Sequence, residues 1–166
     1  LADAQKAMSR LRLAAEIYSF DPFYHRVFSE LGFAFLADED WSLHVVVDSC
    51  DAQIAARTLE ILRTIALKEG REIDGSVPPA IRSDPFGAVR SVLLGPEGQN
   101  WLPIHTFLPL SKTQSVLEAT RNLFESNAET MRIHSIEVSY LTATSGTDFV
   151  FEPSFYWPDE LGQFRL

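Results

Sequence analysis

The hydrophobic pattern changes period several times along the chain, and those changes divide it into elements. ADAQKAMSRLR (residues 2–12) has helical composition, and LAAEIYSF (13–20) reads as a strand. DPFYHRVFSELGF (21–33) opens with Asp21 in the capping position and Pro22 at the first helical position, so a helix is expected. WSLHVVVDS (41–49) is rich in β-branched residues and predicts a strand. DAQIAARTLEILRTIALKEG (51–70) is the clearest helix, with Asp51 as its cap, Ile54, Leu59, Leu62 and Ile65 near helical spacing, and Gly70 at its end. Residues 72–87, with Pro78, Pro79 and Pro85, read as a loop. AVRSVLL (88–94) and WLPIHTFLPL (101–110) are strand candidates joined by the turn-rich GPEGQN. SKTQSVLEATRNLFESN (111–127) is the second good helix, with Val116, Leu117, Thr120, Leu123 and Phe124 on one side. IHSIEVSYLTA (133–143) and TDFVFEPSFYW (147–157) are strands joined by a turn around Ser145 and Gly146.

This order holds two passages of strand, helix and returning strand. It predicts an α+β fold: a ferredoxin-like antiparallel sheet with helices on one face and an open face of mixed polar and aromatic character. Side chains alternate across a strand, so each strand offers two sets. In the last strand Phe149, Phe151, Pro153, Phe155 and Trp157 form the set expected under the helices; Val150, Glu152, Ser154 and Tyr156 form the other. The corresponding second sets elsewhere hold Ser42, His44 and Val46, then Glu137 and Ser139, then Trp101, Pro103, His105 and Phe107. A solvated face would carry more lysine and short polar residues. One that mixes aromatics with titratable groups suits a ligand or an interface.

Composition narrows the classes. With 166 residues, 46% of them hydrophobic, the chain is sized for one domain with a substantial core. A formal net charge of −9, from 14 basic and 23 acidic residues, lacks the basic footprint that nucleic acids or anionic membranes require. No apolar run is long enough to span a bilayer. The single cysteine, Cys50, excludes an internal disulfide and fits a reducing, cytoplasmic compartment. The chain starts at Leu1 inside a helical stretch with no cap before it, which reads as a piece of a longer protein.

Three strings then carry a resemblance. WSLHVVVDS with EILRTIALKEGREI, PFGAVRSVLLGPEGQNWLPIHTFLPLS, and IEVSYLTATSGTDFVFEPSFYWPDE together resemble the C-terminal cap, or substrate, domain of the FAD-linked oxidase superfamily, which includes vanillyl-alcohol oxidase and the D-lactate and glycolate dehydrogenases. The likeness runs through most of the chain and is strongest from Leu94 to Glu160. It implies that residues 1–166 form one cap domain lacking the FAD-binding module, and that the mixed sheet face looks toward flavin and substrate. It also implies FAD as cofactor, bound mainly by a module outside this chain, since no GxGxxG fingerprint is present. Some relatives carry GDGN flanked by histidines in the strand corresponding to WLPIHTFL. Here His105 alone fits and GDGN is absent, so no metal is expected.

The expected function is the substrate-binding cap of a flavin-dependent oxidoreductase that oxidises an alcohol or 2-hydroxy acid by hydride transfer to FAD. His105 is the catalytic candidate, as acid/base or hydrogen-bond donor. Tyr156, Glu152, His44, Trp101 and Phe107 are the substrate-binding candidates. His25 and His134 stand without a constellation around them. Partners are then a small alcohol or hydroxy acid and the FAD-binding module of the same polypeptide. The alternative is a stand-alone ferredoxin-like ligand-binding or dimerisation module, its open sheet paired with a second copy. Either way Trp101, Phe107 and Tyr156 are expected to be more exposed than core aromatics.

Overall fold

A computed structural model of the chain describes residues 2–34, 41–95, 98–145 and 148–158. The strands are β1 (Glu16–Phe20), β2 (Ser42–Val46), β3 (Asn100–Pro103), β4 (Thr106–Pro109), β5 (Glu137–Ser145) and β6 (Asp148–Trp157). They form one open antiparallel sheet in the order β2-β1-β5-β6, with β3 and β4 end to end along the outer edge of β6. The α+β class and the antiparallel sheet agree with the pattern. Pro103 faces Ser154 and Thr106 faces Phe151, so one register runs through both edge strands and sets His105 opposite Glu152. The break falls where Ile104 meets Pro153. Ile104 N–H donates to the Pro153 carbonyl at 2.9 Å, but proline has no N–H to return. Gly146, part of the turn expected between the last two strands, lies outside the described residues.

The helices are α1 (Ala2–Leu11), α2 (Pro22–Glu30), α3 (Ala52–Ala66), α4 (Val77–Ser83), α5 (Pro85–Leu94), α6 (Thr113–Ser126) and α7 (Ala128–Ile133). Two sequence expectations are corrected here. Residues 72–87 are not all loop, and AVRSVLL is not a strand: α4 and α5 occupy 77–94. The cause is local. Asp84 accepts the Gly87 N–H at 3.0 Å and Pro85 sits at the first helical position, the same device that starts α2, where Asp21 accepts from Tyr24 N at 3.1 Å.

The extra helices change what covers the sheet. On one face α1 and α6 pack against β5 and β6. Gln5 Nε2 donates to Thr144 Oγ1 at 3.1 Å, Thr142 Oγ1 donates to Gln5 Oε1 at 3.2 Å, and Phe124 meets Phe155 edge-on. Met8, Ile17 and Leu62 form the core where α1, β1 and α3 meet. Ile54 and Leu59, expected on the buried stripe of α3, are exposed, and Thr58 with Leu62 takes that place. The opposite face is the mixed one, and α2, α4 and α5 lie over much of it. Phe20, Tyr24, Phe28 and Val77 form one cluster there; Phe23, Val27 and Tyr156 form another. The mixed set expected to be open is therefore roofed over its centre, because 77–94 folds as helix. It stays open at the β4 edge, where Phe107 is 72% exposed. Among the described residues, no helix is long and apolar enough to cross a membrane.

Candidate functional site

The roof does not seal. Between the mixed sheet face and α2, α4 and α5 lies a mostly apolar cavity of about 510 Å³, within the range of small-molecule sites. Tyr18, Phe20, Leu141 and Ala143 make its sheet side. Tyr24 and Phe28 of α2, Ile81 of α4 and Val92 of α5 face them. The strand residues hold alternating positions and Tyr24 with Phe28 is an i, i+4 helix pair, so this part of the slot follows from secondary-structure geometry. Its charged groups sit in two places. Glu16 and Arg82 form an ion pair at 2.8 Å, and His105 pairs with Glu152 through Nε2 and Oε2. Glu16 lies two strands and four residues away from Glu152, roughly 16 Å between backbones. The two pairs thus mark opposite ends.

Glu152 is buried and Ser154 Oγ donates to its other oxygen at 3.1 Å, so both carboxylate oxygens are engaged. The His105 side chain is 56% exposed, which leaves its ring accessible from outside while Glu152 holds it. Trp101 also lines the slot, and its buried indole Nε1–H has no hydrogen-bond partner among the described residues. Such a donor costs free energy until an acceptor reaches it. Burial, with the Glu16 carboxylate nearby, pushes the Tyr18 hydroxyl up to about 12, so it is a proton donor at neutral pH.

Of the residues expected at a site, His105, Glu152 and Trp101 come together around this slot. Tyr156 does not line it. Its side chain is fully buried, its ring stacks on Phe23 at 4.1 Å, and its hydroxyl donates to the Val92 carbonyl at 2.9 Å. Nor does Phe107, which points out at the open edge. His44 lies beyond the slot wall, stacked on Tyr18 at 5.3 Å. It belongs to a buried chain that the sequence did not suggest: Ser42 Oγ stands 2.8 Å from Nε2 of both His25 and His44. A hydroxyl has one proton, so Ser42 donates to one ring and accepts from the other. Burial first, and the neighbouring His25 second, lower His44 to about 4. Glu137 is at the surface, paired with Arg26. Among the slot residues that sequence reasoning missed are Glu16, Tyr18, Ile81, Arg82 and Leu141. The last is an alternating partner of Glu152 in plain sight, whereas Ile81 and Arg82 needed α4.

The N-termini of α2, α3 and α5 do not suit the flavin cofactor implied by the resemblance. A pyrophosphate needs free helix N-termini or a glycine cradle. The first N–H groups of α2, α3 and α5 are already taken by the carboxylates of Asp21, Asp51 and Asp84. Those groups repel an anion, so these ends do not fit the cofactor. Among the described residues, no cluster of three or more His, Cys, Asp or Glu is arranged to hold a metal ion.

No protein-family model matches the chain, and no curated protein matches it either. Solved structures do. Two structures of alkyldihydroxyacetonephosphate synthase superpose with TM-scores of 0.60 and 0.58, at 12% and 10% identity, over 95% and 97% of this chain. The chain spans only 33% and 34% of those synthase chains. At that identity the likeness is one of fold.

Proposed function

We propose that this chain is the substrate-binding cap of a flavin-dependent oxidoreductase that oxidises an alcohol or 2-hydroxy acid, the hydride acceptor being a flavin held by another module. The observation that carries this reading is the apolar slot ending at the His105–Glu152 pair. Support comes from the sequence resemblance and from a fold shared with a third of a FAD-linked oxidase-family enzyme.

The roles of the chain's own residues follow. The aromatic and aliphatic walls bind the substrate's apolar body and exclude water, which strengthens every polar contact inside. Glu152 accepts the Nε2 proton of His105 and so fixes the tautomer that leaves Nδ1 as the base. Nδ1 then takes the substrate hydroxyl proton as the C–H bond is oxidised. The ring is positioned before the reaction, which converts an encounter into a fixed geometry.

The test is anaerobic stopped-flow flavin reduction in the intact protein, wild type against His105→Ala, at matched flavin content. A positioned acid/base contributes roughly two to four orders of magnitude, and a loss of that size is expected. A loss smaller than about threefold, well below that range, makes His105 scaffold.

A further inference from the structure

We infer that the slot selects a neutral, apolar alcohol and discriminates against the corresponding carboxylic acid. This inference rests on reading the slot as the substrate site and narrows it to one of two substrate classes. Its basis is the count of charges on the walls. Among the described residues around the cavity, Arg82 and His105 are the only basic side chains, and Glu16 and Glu152 the only acidic ones. They are matched one to one: Arg82 with Glu16, His105 with Glu152. A carboxylate entering the slot finds the Arg82 guanidinium already paired, the His105 ring already held by Glu152, and two carboxylates facing it. Binding at either end places it beside a like charge, against the chain's net charge of −9. A 2-hydroxy acid carries that anion next to the reacting carbon, so it brings the charge to the His105–Glu152 end. A neutral hydroxyl needs no counter-charge. It can donate to the His105 ring and accept from a wall donor, the unpartnered Trp101 N–H.

The two ends are separated by roughly 16 Å of backbone, and the surface between them is aromatic and aliphatic. The ligand is therefore elongated: a hydroxyl at the His105 end and an apolar chain or ring running toward Arg82. This excludes small hydroxy acids on shape as well as charge, since they leave most of the apolar wall uncovered.

The test uses two probes with one apolar body, 4-phenyl-1-butanol and 4-phenylbutanoate, titrated calorimetrically into the intact protein at pH 7.5. The alcohol is expected to bind at least about tenfold more tightly than the acid. Glu16→Gln releases Arg82 from its partner and should narrow that gap by raising the acid's affinity. Equal or tighter binding of the acid to the wild type overturns the inference and leaves the oxidoreductase reading standing. Binding of neither probe overturns both. Preference for the alcohol supports the inference. If that alcohol then fails to reduce the flavin of the intact protein, the oxidoreductase reading falls while the slot's selectivity stands.

Discussion

Asp21 offers the sharpest quantitative test of the structure. Its carboxylate caps α2 through Tyr24 N, accepts from Ser139 Oγ at 3.3 Å, and accepts the Tyr140 N–H at 2.8 Å where β1 has run out. Burial outweighs these donors and raises its pKa from the ordinary 3.8 to about 6. The folded state thus holds the proton more tightly than the unfolded chain. The stability this group contributes is complete below pH 3.8 and is lost as pH rises through about 6. The loss amounts to about 3 kcal/mol at neutral pH. Asp21→Asn removes the titration but keeps an oxygen for Tyr24 N. It also turns an NH2 group toward the Tyr140 N–H, leaving a buried donor unsatisfied at a cost of about 1–3 kcal/mol. At pH 4 the variant is therefore expected to be the less stable by that amount. At pH 7 the difference should have moved by about 3 kcal/mol in its favour, erasing or reversing the deficit. Urea unfolding followed by tryptophan fluorescence, from pH 4 to 7.5, reads the difference directly. A gap constant to within about 0.5 kcal/mol across that range refutes the argument, since no ionisation near 6 then lies behind it.

The remaining predictions use the same assay. His44 is held near 4 instead of 6.5, so the fold loses stability as pH falls below 6.5; His44→Phe, which keeps the stack on Tyr18, should gain up to about 3 kcal/mol relative to wild type between pH 7 and pH 4. This trend is opposite to that of Asp21→Asn, so near-cancellation is expected in the wild type and clear slopes in each variant. Gly95 adopts φ 60° and ψ 177°, a region side chains rarely enter, and a Cβ there collides with Gln99 Oε1 and meets Tyr156 Cδ1 at 3.2 Å; Gly95→Ala should cost about 1–3 kcal/mol, seen as a lower urea midpoint at unchanged slope.

Much of the sheet was legible because alternation is a local property. The two sets of each strand, and the placing of His105 with Glu152 on one face, follow from counting by twos. Which helices cover which set is not local. The tripeptide Asp-Pro-Phe occurs twice, at 21–23 and 84–86, and starts a helix both times. The second copy was obscured because AVRSVLL is short, apolar and β-branched, a composition that serves a buried strand equally well. Misreading that one segment left the mixed face without its roof, so the slot could not be foreseen although several of its residues were. Tyr156 shows the same limit: an alternating pattern gives its face but not that Phe23 and Val92 close over it. The His25–Ser42–His44 chain was invisible for another reason, because α2 brings a residue 17 positions away against β2.

The edge formed by β3 and β4 has a consequence for how the molecule behaves among its neighbours. Since Ile104 turns its N–H inward to Pro153, even positions along this edge point inward and odd positions outward. Pro103 and Pro109 both stand at outward positions. A foreign strand approaching to extend the sheet finds no donor at either place, and the outward row is reduced to Trp101, His105 and Phe107. With Leu102, Ile104 and Phe107 all substantially exposed, this edge is apolar enough to attract such a strand and too poor in donors to hold it. The two prolines act as guards against stacking into aggregates along this margin of the sheet.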